Sequence, residues 1–312
     1  MKKWISILIF IFVSNIAFSQ DSIVVYKNTQ FQLSDVVVRD SFKVKDFIDY
    51  IKEDTSFYKA FKNLRILGFT SFNDIKMLDK NRNIEASLFS KTKQTRSNNC
   101  RTMQVLEEKT TGNFYDKNKN YNYSTAELYA SLFFTKGTIC GETNIVKGIQ
   151  LNVKNKSGMD KHKEQLKMLF FNPGQKIPGI PFMGDKVDVY DKSASKIYNY
   201  SIDKTDYYGI SSYIFTITPK EKISFFRRGA VVFDKIVTWF NAKTLEILAR
   251  NYSLSYKTGI YSFNVDMEVE MTNFNQLLVP KVLRYNGYWN VLFKKKETAI
   301  FTATLFDFNK EN

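Results

Sequence analysis

The stretch YSFNVDMEVEMT, residues 261–272, alternates apolar and polar side chains without interruption. Its apolar members are Tyr261, Phe263, Val265, Met267, Val269 and Met271. Because successive side chains of a strand point to opposite faces, this alternation predicts a strand with one apolar and one solvent-facing side. A strand usually has about five or six residues. A run of twelve therefore indicates a large, strongly curved antiparallel sheet.

Similar alternating runs surround this stretch and predict a β-meander over residues 185–308. Two of them flank the polar turn NAKT at 241–244, which is the pattern of a hairpin. Nearer the N-terminus, two more runs flank the polar segment DKNRN at 79–83. A second long hairpin is expected there.

Other segments have the periodicity of helices rather than strands. The predicted helices cover about 44–63, 125–134 and 158–171. Ser124 and Glu127 have the spacing of a capping box at the start of the second helix. Pro173 and Gly174 are expected to end the third helix, because proline breaks the helical hydrogen-bond pattern.

The segment FFNPGQKIPGIPF, residues 170–182, concentrates proline and glycine after the third predicted helix. We interpret it as part of a loop over residues 172–184 that turns within one domain. Its apolar residues Ile177, Ile180 and Phe182 are expected to reach the mouth of the concave face of the sheet; an ordered loop that packs on the rim of the core is the alternative.

Residues 1–19 have the features of a signal peptide. A basic start precedes an apolar run shorter than the roughly 20 residues that span a bilayer, and the small residues Ala17 and Ser19 follow. This pattern predicts export to the periplasm or secretion, without a transmembrane segment after cleavage; an uncleaved membrane anchor is the alternative. Residues 20–41 would then be a leader segment, and residues 42–308 a single α+β domain.

Basic residues exceed acidic ones. Removing Lys2 and Lys3 from the 46 basic residues leaves 44 against 31 acidic residues, a net charge of +13. Such an excess favours anionic partners. However, the basic clusters KTKQTR, FFRRG and LFKKK are short and separate, and the sequence contains no nucleic-acid-binding module. We therefore expect a basic surface that faces an anionic envelope, and no binding of nucleic acid.

Cys100 and Cys140 are the two cysteines of the chain. An even pair in an exported protein is a candidate disulfide. Two unrelated buried thiols are the alternative.

The sequence carries no catalytic signature and predicts no catalytic residue, metal site or cofactor. The sole histidine, His162, lies in a lysine-rich segment without a nucleophile motif. Asp266, Glu268 and Glu270 share the polar side of the 261–272 strand and could serve a hydrolase or bind calcium. Any solvent-facing strand has the same spacing. An exported hydrolase is therefore only a third hypothesis.

The order of one helix, long strands, two helices and more long strands resembles the half-barrel of the periplasmic lipoprotein carriers, the LolA/LolB-like group. YIFTITPKE (213–221) and IVTWFNAKTLEILARNYSLSY (236–256) carry this resemblance. The chain also resembles an uncharacterised family of exported Bacteroidota proteins in TSFYKAFKNLR, NNCRTMQVLEEKTTG and TAELYASLFFTKGTICGETN. The resemblance implies a curved antiparallel half-barrel with an N-terminal helix and a helical pair on the concave side.

Two functional hypotheses follow. The first is a non-enzymatic binding protein of the cell envelope that holds an apolar or lipid-like ligand against the concave face. The side chains expected to line that site are Phe263, Val265, Met267, Val269, Met271, Ile180 and Phe182. The alternative is that this face is an ordinary core covered by the helices. The second is an envelope scaffold or accessory protein that binds another protein or an anionic surface. A large apolar cavity would favour the first hypothesis, and a filled interior the second.

Overall fold

Long antiparallel strands dominate the structure. The computed structural model describes residues 22–26, 29–33, 50–146, 168–177, 183–191, 193–223, 229–259, 261–291 and 295–310. Within these residues the chain forms an eleven-stranded sheet, a separate two-stranded hairpin and short helices.

The strands of the described residues are numbered in chain order. They are β1 (Ser22–Tyr26), β2 (Thr29–Leu33), β3 (Gly68–Leu78), β4 (Ile84–Ser97), β5 (Cys100–Thr111), β6 (Ile139–Cys140), β7 (Tyr198–Tyr207), β8 (Ile210–Pro219), β9 (Phe233–Asn241), β10 (Ile247–Lys257), β11 (Tyr261–Phe274), β12 (Leu277–Val291) and β13 (Glu297–Asn309). The helices are α1 (Ser56–Asn63) and α2 (Ser124–Phe133), with 3₁₀ turns at Leu64–Ile66 and Ala194–Lys196. Residues 50–53 and 168–171 are also helical.

The large sheet has the strand order β6-β5-β4-β3-β13-β12-β11-β10-β9-β8-β7, and β1 pairs with β2 alone. All of these pairs are antiparallel, and the sheet remains open because β6 and β7 lie at opposite edges. Several register shifts interrupt the pairing, for example between Glu270 and Met271 in β11. Such bulges bend strands and strengthen their twist. The predicted fold class, α+β with a large, curved, unclosed antiparallel sheet, is confirmed.

The predicted hairpins are confirmed. Residues 79–83 connect β3 to β4, and the turn after β9 leads into β10. The first strand after the proline-rich loop begins at Tyr198, later than the predicted start of the meander at residue 185. Asp188 and Asp191 accept hydrogen bonds from the backbone N–H groups of Tyr190 and Ser193. These side chain–backbone bonds favour turns over strand.

The helical predictions are confirmed in part. The first helix is interrupted between residue 53 and α1, because Asp54 accepts hydrogen bonds from the N–H and hydroxyl of Ser56 at 2.9 and 3.0 Å. The third helix ends at residue 171, just before Pro173, as predicted. Residues 44–49 of the first predicted helix and residues 158–167 of the third lie outside the described residues.

One face of the large sheet, here called the inner face, carries the hydrophobic core. Helices α1 and α2 and the helical residues 168–171 contribute to this core together with the inward side chains of the strands. Phe57 of α1 lies 4.4 Å from the guanidinium of Arg250, which also donates to Thr238 Oγ1 at 2.9 Å. This cation–π contact attaches α1 to β9 and β10. The opposite side of the sheet is called the outer face.

Strand β13 joins the two halves of the chain, because it lies between β3 and β12. Tyr129 of α2 covers this junction. Its ring centroid is 4.5 Å from that of Phe301 in β13, and its hydroxyl donates to Asn73 Oδ1 in β3 at 3.0 Å. Asn73 in turn donates to Ser90 Oγ at 3.3 Å, within a buried polar network that includes Ser71 and Thr92. Helix α2 is therefore bound to both sides of the junction.

Glu297 caps helix α2 from the start of β13. Its carboxylate accepts hydrogen bonds from the N–H groups of Ser124 and Thr125, at 2.9 and 2.7 Å, and from the Thr125 hydroxyl at 2.7 Å. The predicted capping box is wrong. Tyr123 occupies the N-cap position, and no side chain of the N-cap itself bonds the helix. Ser124 already lies inside the helix, so a distant carboxylate satisfies the first N–H groups.

We expect Glu297→Ala to lower the free energy of unfolding by about 1–2 kcal/mol, because the first N–H groups of α2 lose their acceptor. Glu297→Gln removes only the charge and should cost about 0.3–1 kcal/mol. Urea unfolding measures both values, and hydrogen exchange should accelerate at Ser124 and Thr125. Glu107→Ala, at an exposed strand glutamate paired with Lys109, is the matched control. Equal losses for Glu297→Ala and Glu107→Ala would contradict this role.

Cys100 and Cys140 form a disulfide with Cα atoms 3.9 Å apart, and they are also register partners of β5 and β6. Of the two sequence interpretations, the disulfide is confirmed. The bond attaches a two-residue edge strand to the sheet. It closes a loop of 40 residues that contains α2.

Replacing both cysteines by serine should lower the free energy of unfolding by about 2–4 kcal/mol, because the unfolded chain loses a cross-link. Urea unfolding with and without a reductant checks this value. The reductant should destabilise the natural protein and leave the double serine variant unchanged. An unchanged midpoint in the double variant would show that the bond does not stabilise the fold.

Candidate functional site

The apolar residues predicted to line a ligand site belong to the closed core. Phe263, Val265, Met267 and Val269 expose 2% of their surface or less, and Met271 is half-buried. The ring of Phe263 lies 4.7 Å from that of Trp289 in β12. Ile180 and Phe182 lie outside the described residues. Along β11, the inner face is therefore filled by side chains rather than open to a ligand.

The helical residues 168–171 cover this part of the sheet. The Phe170 ring lies 6.2 Å from Tyr285 and 6.5 Å from Trp289, and its carbonyl accepts a hydrogen bond from the Tyr252 hydroxyl at 2.6 Å. Tyr252 is buried, and burial raises the pKa of its hydroxyl. The cover is thus attached to β10 and β12 by ring contacts and by a buried hydrogen bond.

A small cleft lies between α1 and α2 on the inner side. Its volume is about 70 Å³, little more than two water molecules occupy in the liquid, at about 30 Å³ each. Its lining is mainly aromatic and aliphatic: Tyr58, Phe61, Leu64, Phe69, Leu132, Phe133, Phe134 and Phe171. Polar groups also line it: Lys62, Arg65, Gln94, Arg101 and Ser131. In this conformation the cleft is too small for an acyl chain.

The outer face carries a much larger groove, of about 690 Å³. Outward side chains of β8 to β13 line it: Ile214, Thr216, Lys235, Val237, Trp239, Asn251, Ser253, Asp266, Glu268, Arg284, Asn286, Ile300 and Thr302. The strand register explains why they meet. Asn251 pairs with Glu268, Glu268 with Arg284, and Arg284 with Thr302, so one continuous row crosses four strands.

An ion-paired arginine lies in this row. Arg284 Nη1 is 2.6 Å from Glu270 Oε1 and 3.5 Å from Glu268 Oε2. The hydrogen bond to Glu270 raises the pKa of Arg284. Two of the three carboxylates singled out in the sequence are therefore engaged by one guanidinium. Asp266 is exposed, opposite Ser253 and Asn286 on the neighbouring strands.

Aromatic side chains form a rim at one end of the groove. The ring centroids of Tyr207 and Trp239 are 5.5 Å apart, and those of Tyr207 and Tyr208 are 4.8 Å apart. Tyr208 exposes 86% of its surface. Burial, and next the negative charge of Glu270, raise the pKa of Tyr207 to about 12.

Sequence reasoning missed most of this site. It placed Asp266, Glu268 and Glu270 on a polar strand face, and the structure confirms that orientation for the exposed pair Asp266 and Glu268. Arg284 and Trp239 are close to them only because β12 and β9 lie on either side of β11 and β10. The alternation of β9 and β12 could have identified the outward residues, but not the order of the strands.

Asp185, Asp188 and Asp191 recur at three-residue spacing and form a second group of carboxylates. Asp188 and Asp191 bond backbone N–H groups in turns, and burial raises the pKa of Asp188. His162 lies outside the described residues. Where the structure describes the chain, no three His, Cys, Asp or Glu side chains are grouped so that they could hold a metal ion. No described helix is both long and apolar enough to cross a membrane.

Comparison with known proteins adds little. No protein-family model matches the chain, and no curated protein matches it. A DUF1329 family protein from Desulfovibrio piger is 9% identical, with 82% of this chain and 91% of that chain covered and a TM-score of 0.24. A putative outer membrane lipoprotein-sorting protein domain from Vibrio parahaemolyticus is 8% identical, with 80% and 89% covered and a TM-score of 0.25. At these TM-scores neither likeness transfers a ligand or a residue role, and membership of a Bacteroidota family remains a prediction.

The filled inner face predicts a strong stability effect at β11. Met267→Ala should lower the free energy of unfolding by about 2–5 kcal/mol, because it leaves a cavity in a packed core. Met271→Ala, at a half-buried position on the same strand and face, should cost clearly less. Urea unfolding measures both. Equal small losses would instead indicate an inner face that is open to solvent or to a ligand.

Proposed function

We propose that this chain is an exported, non-enzymatic binding protein of the cell envelope whose ligand occupies the groove on the outer face of the sheet. The observation that supports the proposal is the contrast between the two faces. The outer groove has a volume of about 690 Å³, whereas the cleft on the inner side has about 70 Å³. Export is supported by the pattern of residues 1–19 and by the disulfide.

The groove has the properties of a ligand site. Small-molecule sites usually have volumes of about 300–1,000 Å³ and combine apolar walls with a few polar groups. Here Val237, Ile214 and Ile300 supply apolar surface, while charged and amide side chains lie between them. All of these side chains stand on strands of one hydrogen-bonded sheet. Sites built on strands hold their groups more precisely than sites built on loops.

A binding role fits the carboxylates better than acid–base catalysis does. A general acid has to give up a proton to the reacting group. Glu270 instead accepts a hydrogen bond from Arg284 at 2.6 Å, and Glu268 forms an ion pair with the same guanidinium at 3.5 Å, so both carboxylates already have a partner. An exported hydrolase therefore receives no support from this site.

The net charge of the chain favours binding to an anionic surface, but the charges that line the groove do not. Lys235 and Arg284 are balanced there by Asp266 and Glu268. An anionic surface would gain little from this local field, although the mature chain carries a net charge of +13 by the prediction above.

Carriage of an apolar ligand is the second candidate function. The aromatic lining of the cleft between α1 and α2 favours it. Phe61 and Phe133 both contact Phe171, with ring centroids 4.5 and 6.3 Å apart, so the cleft continues into the core. A lipid-like ligand would have to separate the two helices, because the present volume of about 70 Å³ holds only a few atoms.

Native mass spectrometry with aqueous and organic extracts of cell envelopes tests both candidates. We expect an adduct on the mature protein, reduced about tenfold or more by Asn286→Tyr, which fills the groove. Asn290→Tyr makes the same change at another exposed position of β12, outside the groove lining, and should retain the adduct. Leu132→Lys alters the cleft and should also retain it.

The remaining outcomes contradict the proposal in different ways. If the adduct is lost with Leu132→Lys and kept with Asn286→Tyr, the ligand site is the apolar cleft and not the outer groove. If the protein has the mass of the unliganded chain with every extract, the proposal of a binding function is wrong. Circular dichroism and urea unfolding of each variant confirm that the fold is retained.

A further inference from the structure

We infer that the ligand of the outer groove is a neutral oligosaccharide, bound by the aromatic rim and by the polar row around Arg284. This inference rests on the proposed function, since it names the chemical class of the ligand for the same site. Its basis is that Trp239, Glu268 and Arg284 line the same groove, with Tyr207 packed against Trp239 and Glu270 paired with Arg284.

The aromatic rim supplies the apolar half of saccharide recognition. A pyranose ring has a face of C–H groups, which packs against the face of a tyrosine or tryptophan, and aromatic side chains with a polar tip suit surfaces that are partly wet. Tyr207 and Trp239 are half-buried, and Tyr208 beside them is 86% exposed. Tyr207 lies at the end of β7, Trp239 lies in β9, and Tyr208 follows in the turn to β8, so three neighbouring aromatic rings form a partly exposed patch of the kind that can mark a binding surface.

The polar row around Arg284 supplies the hydrogen-bonding half of saccharide recognition. Sugar hydroxyls both donate and accept hydrogen bonds, so they need acceptors and donors side by side. Carboxylates only accept, guanidinium and ammonium groups only donate, and amides do both. The groove contains Asp266 and Glu268 as acceptors, Lys235 and Arg284 as donors, and Asn251 and Asn286 as amides. A guanidinium held between two carboxylates presents its remaining N–H groups in a fixed plane.

The charge balance favours a neutral ligand over an ionic one. Two cations and two anions line the groove, and Glu270 adds a further negative charge beside Arg284. An acidic saccharide or phosphate would have to approach these carboxylates, which like-charge repulsion disfavours. A neutral polyhydroxyl ligand can use both kinds of group and leaves no charge unpaired.

The open shape argues against a lipid chain in the same groove. An acyl chain gains binding energy by leaving water, roughly 25 cal/mol per Å² of buried apolar surface. The groove lies on a solvent-facing sheet surface, and its apolar side chains are interleaved with charged ones. Such a surface would leave much of a chain in water, whereas a saccharide can remain partly hydrated when bound.

Trp239 provides a built-in reporter for the test. If residues 1–19 are removed, Trp239 and Trp289 are the remaining tryptophans. Trp289→Phe keeps an aromatic ring against Phe170 and Phe263, so this variant is expected to retain the fold, which circular dichroism checks. In this variant, the tryptophan fluorescence comes from Trp239 alone and therefore reports on the groove. Titration with neutral glucan, mannan, galactan and chitin oligosaccharides should give a saturable change for at least one of them.

Variants then locate the binding. With a glycan microarray and calorimetry as readouts, Trp239→Ala and Glu268→Gln should each weaken the neutral ligand about tenfold or more. Trp239→Phe keeps an aromatic face and should restore part of the affinity. Asn290→Tyr, outside the groove lining, should bind like the natural protein. Affinity should change little between low and high salt, because the ligand carries no charge.

Two results would overturn the inference and can be told apart. If no neutral saccharide binds, or an acidic one binds more tightly with strong salt dependence, while the envelope adduct remains sensitive to Asn286→Tyr, the ligand class is wrong and the groove remains the site. If a saccharide binds equally well to the natural protein, Trp239→Ala and Asn286→Tyr, both the ligand site and the proposed function of the groove fail.

Discussion

The pairing of β13 with β3 is the contact on which the rest of the structure depends. It joins residues that are far apart in the chain, such as Ile75 and Phe301, and places the last described strand in the interior of the sheet. Closing so long a loop costs conformational entropy. Tyr129 and Glu297 stabilise the junction, because the first contacts both strands and the second caps α2 from the start of β13.

The same strands give the two faces of the sheet opposite roles. In the part of the chain that the structure describes, inward side chains of β10 to β12 pack beneath the helical residues 168–171 in one buried core. Outward side chains of β8 to β13 form the groove, and Ile300 and Thr302 of β13 belong to its lining. The β13–β3 pairing therefore holds one wall of the proposed ligand site. A binding function on the outer face does not require the core to open.

Several elements could be predicted from local sequence because local physics determines them. The uninterrupted alternation from Tyr261 to Thr272 predicted the strand, and the polar turn at 79–83 predicted a hairpin. Pro173 ended its helix as expected. Ser124 misled the prediction, since its spacing to Glu127 imitates a capping box although the acceptor is Glu297. The apolar side of β11 was identified correctly as one face, but its burial could not be read from the strand alone.

The sequence by itself determined the strand and helix segments, the sidedness of β11, the candidate disulfide and the absence of a recognisable catalytic motif. These properties depend on neighbours within a few residues, or on composition. Tertiary structure alone decided that the inner face is filled, that Arg284 lies between Glu268 and Glu270, and that Trp239 and Tyr207 stand at the end of a groove. Strand order and register set those contacts, and both arise from cooperative pairing between segments that are distant in the chain.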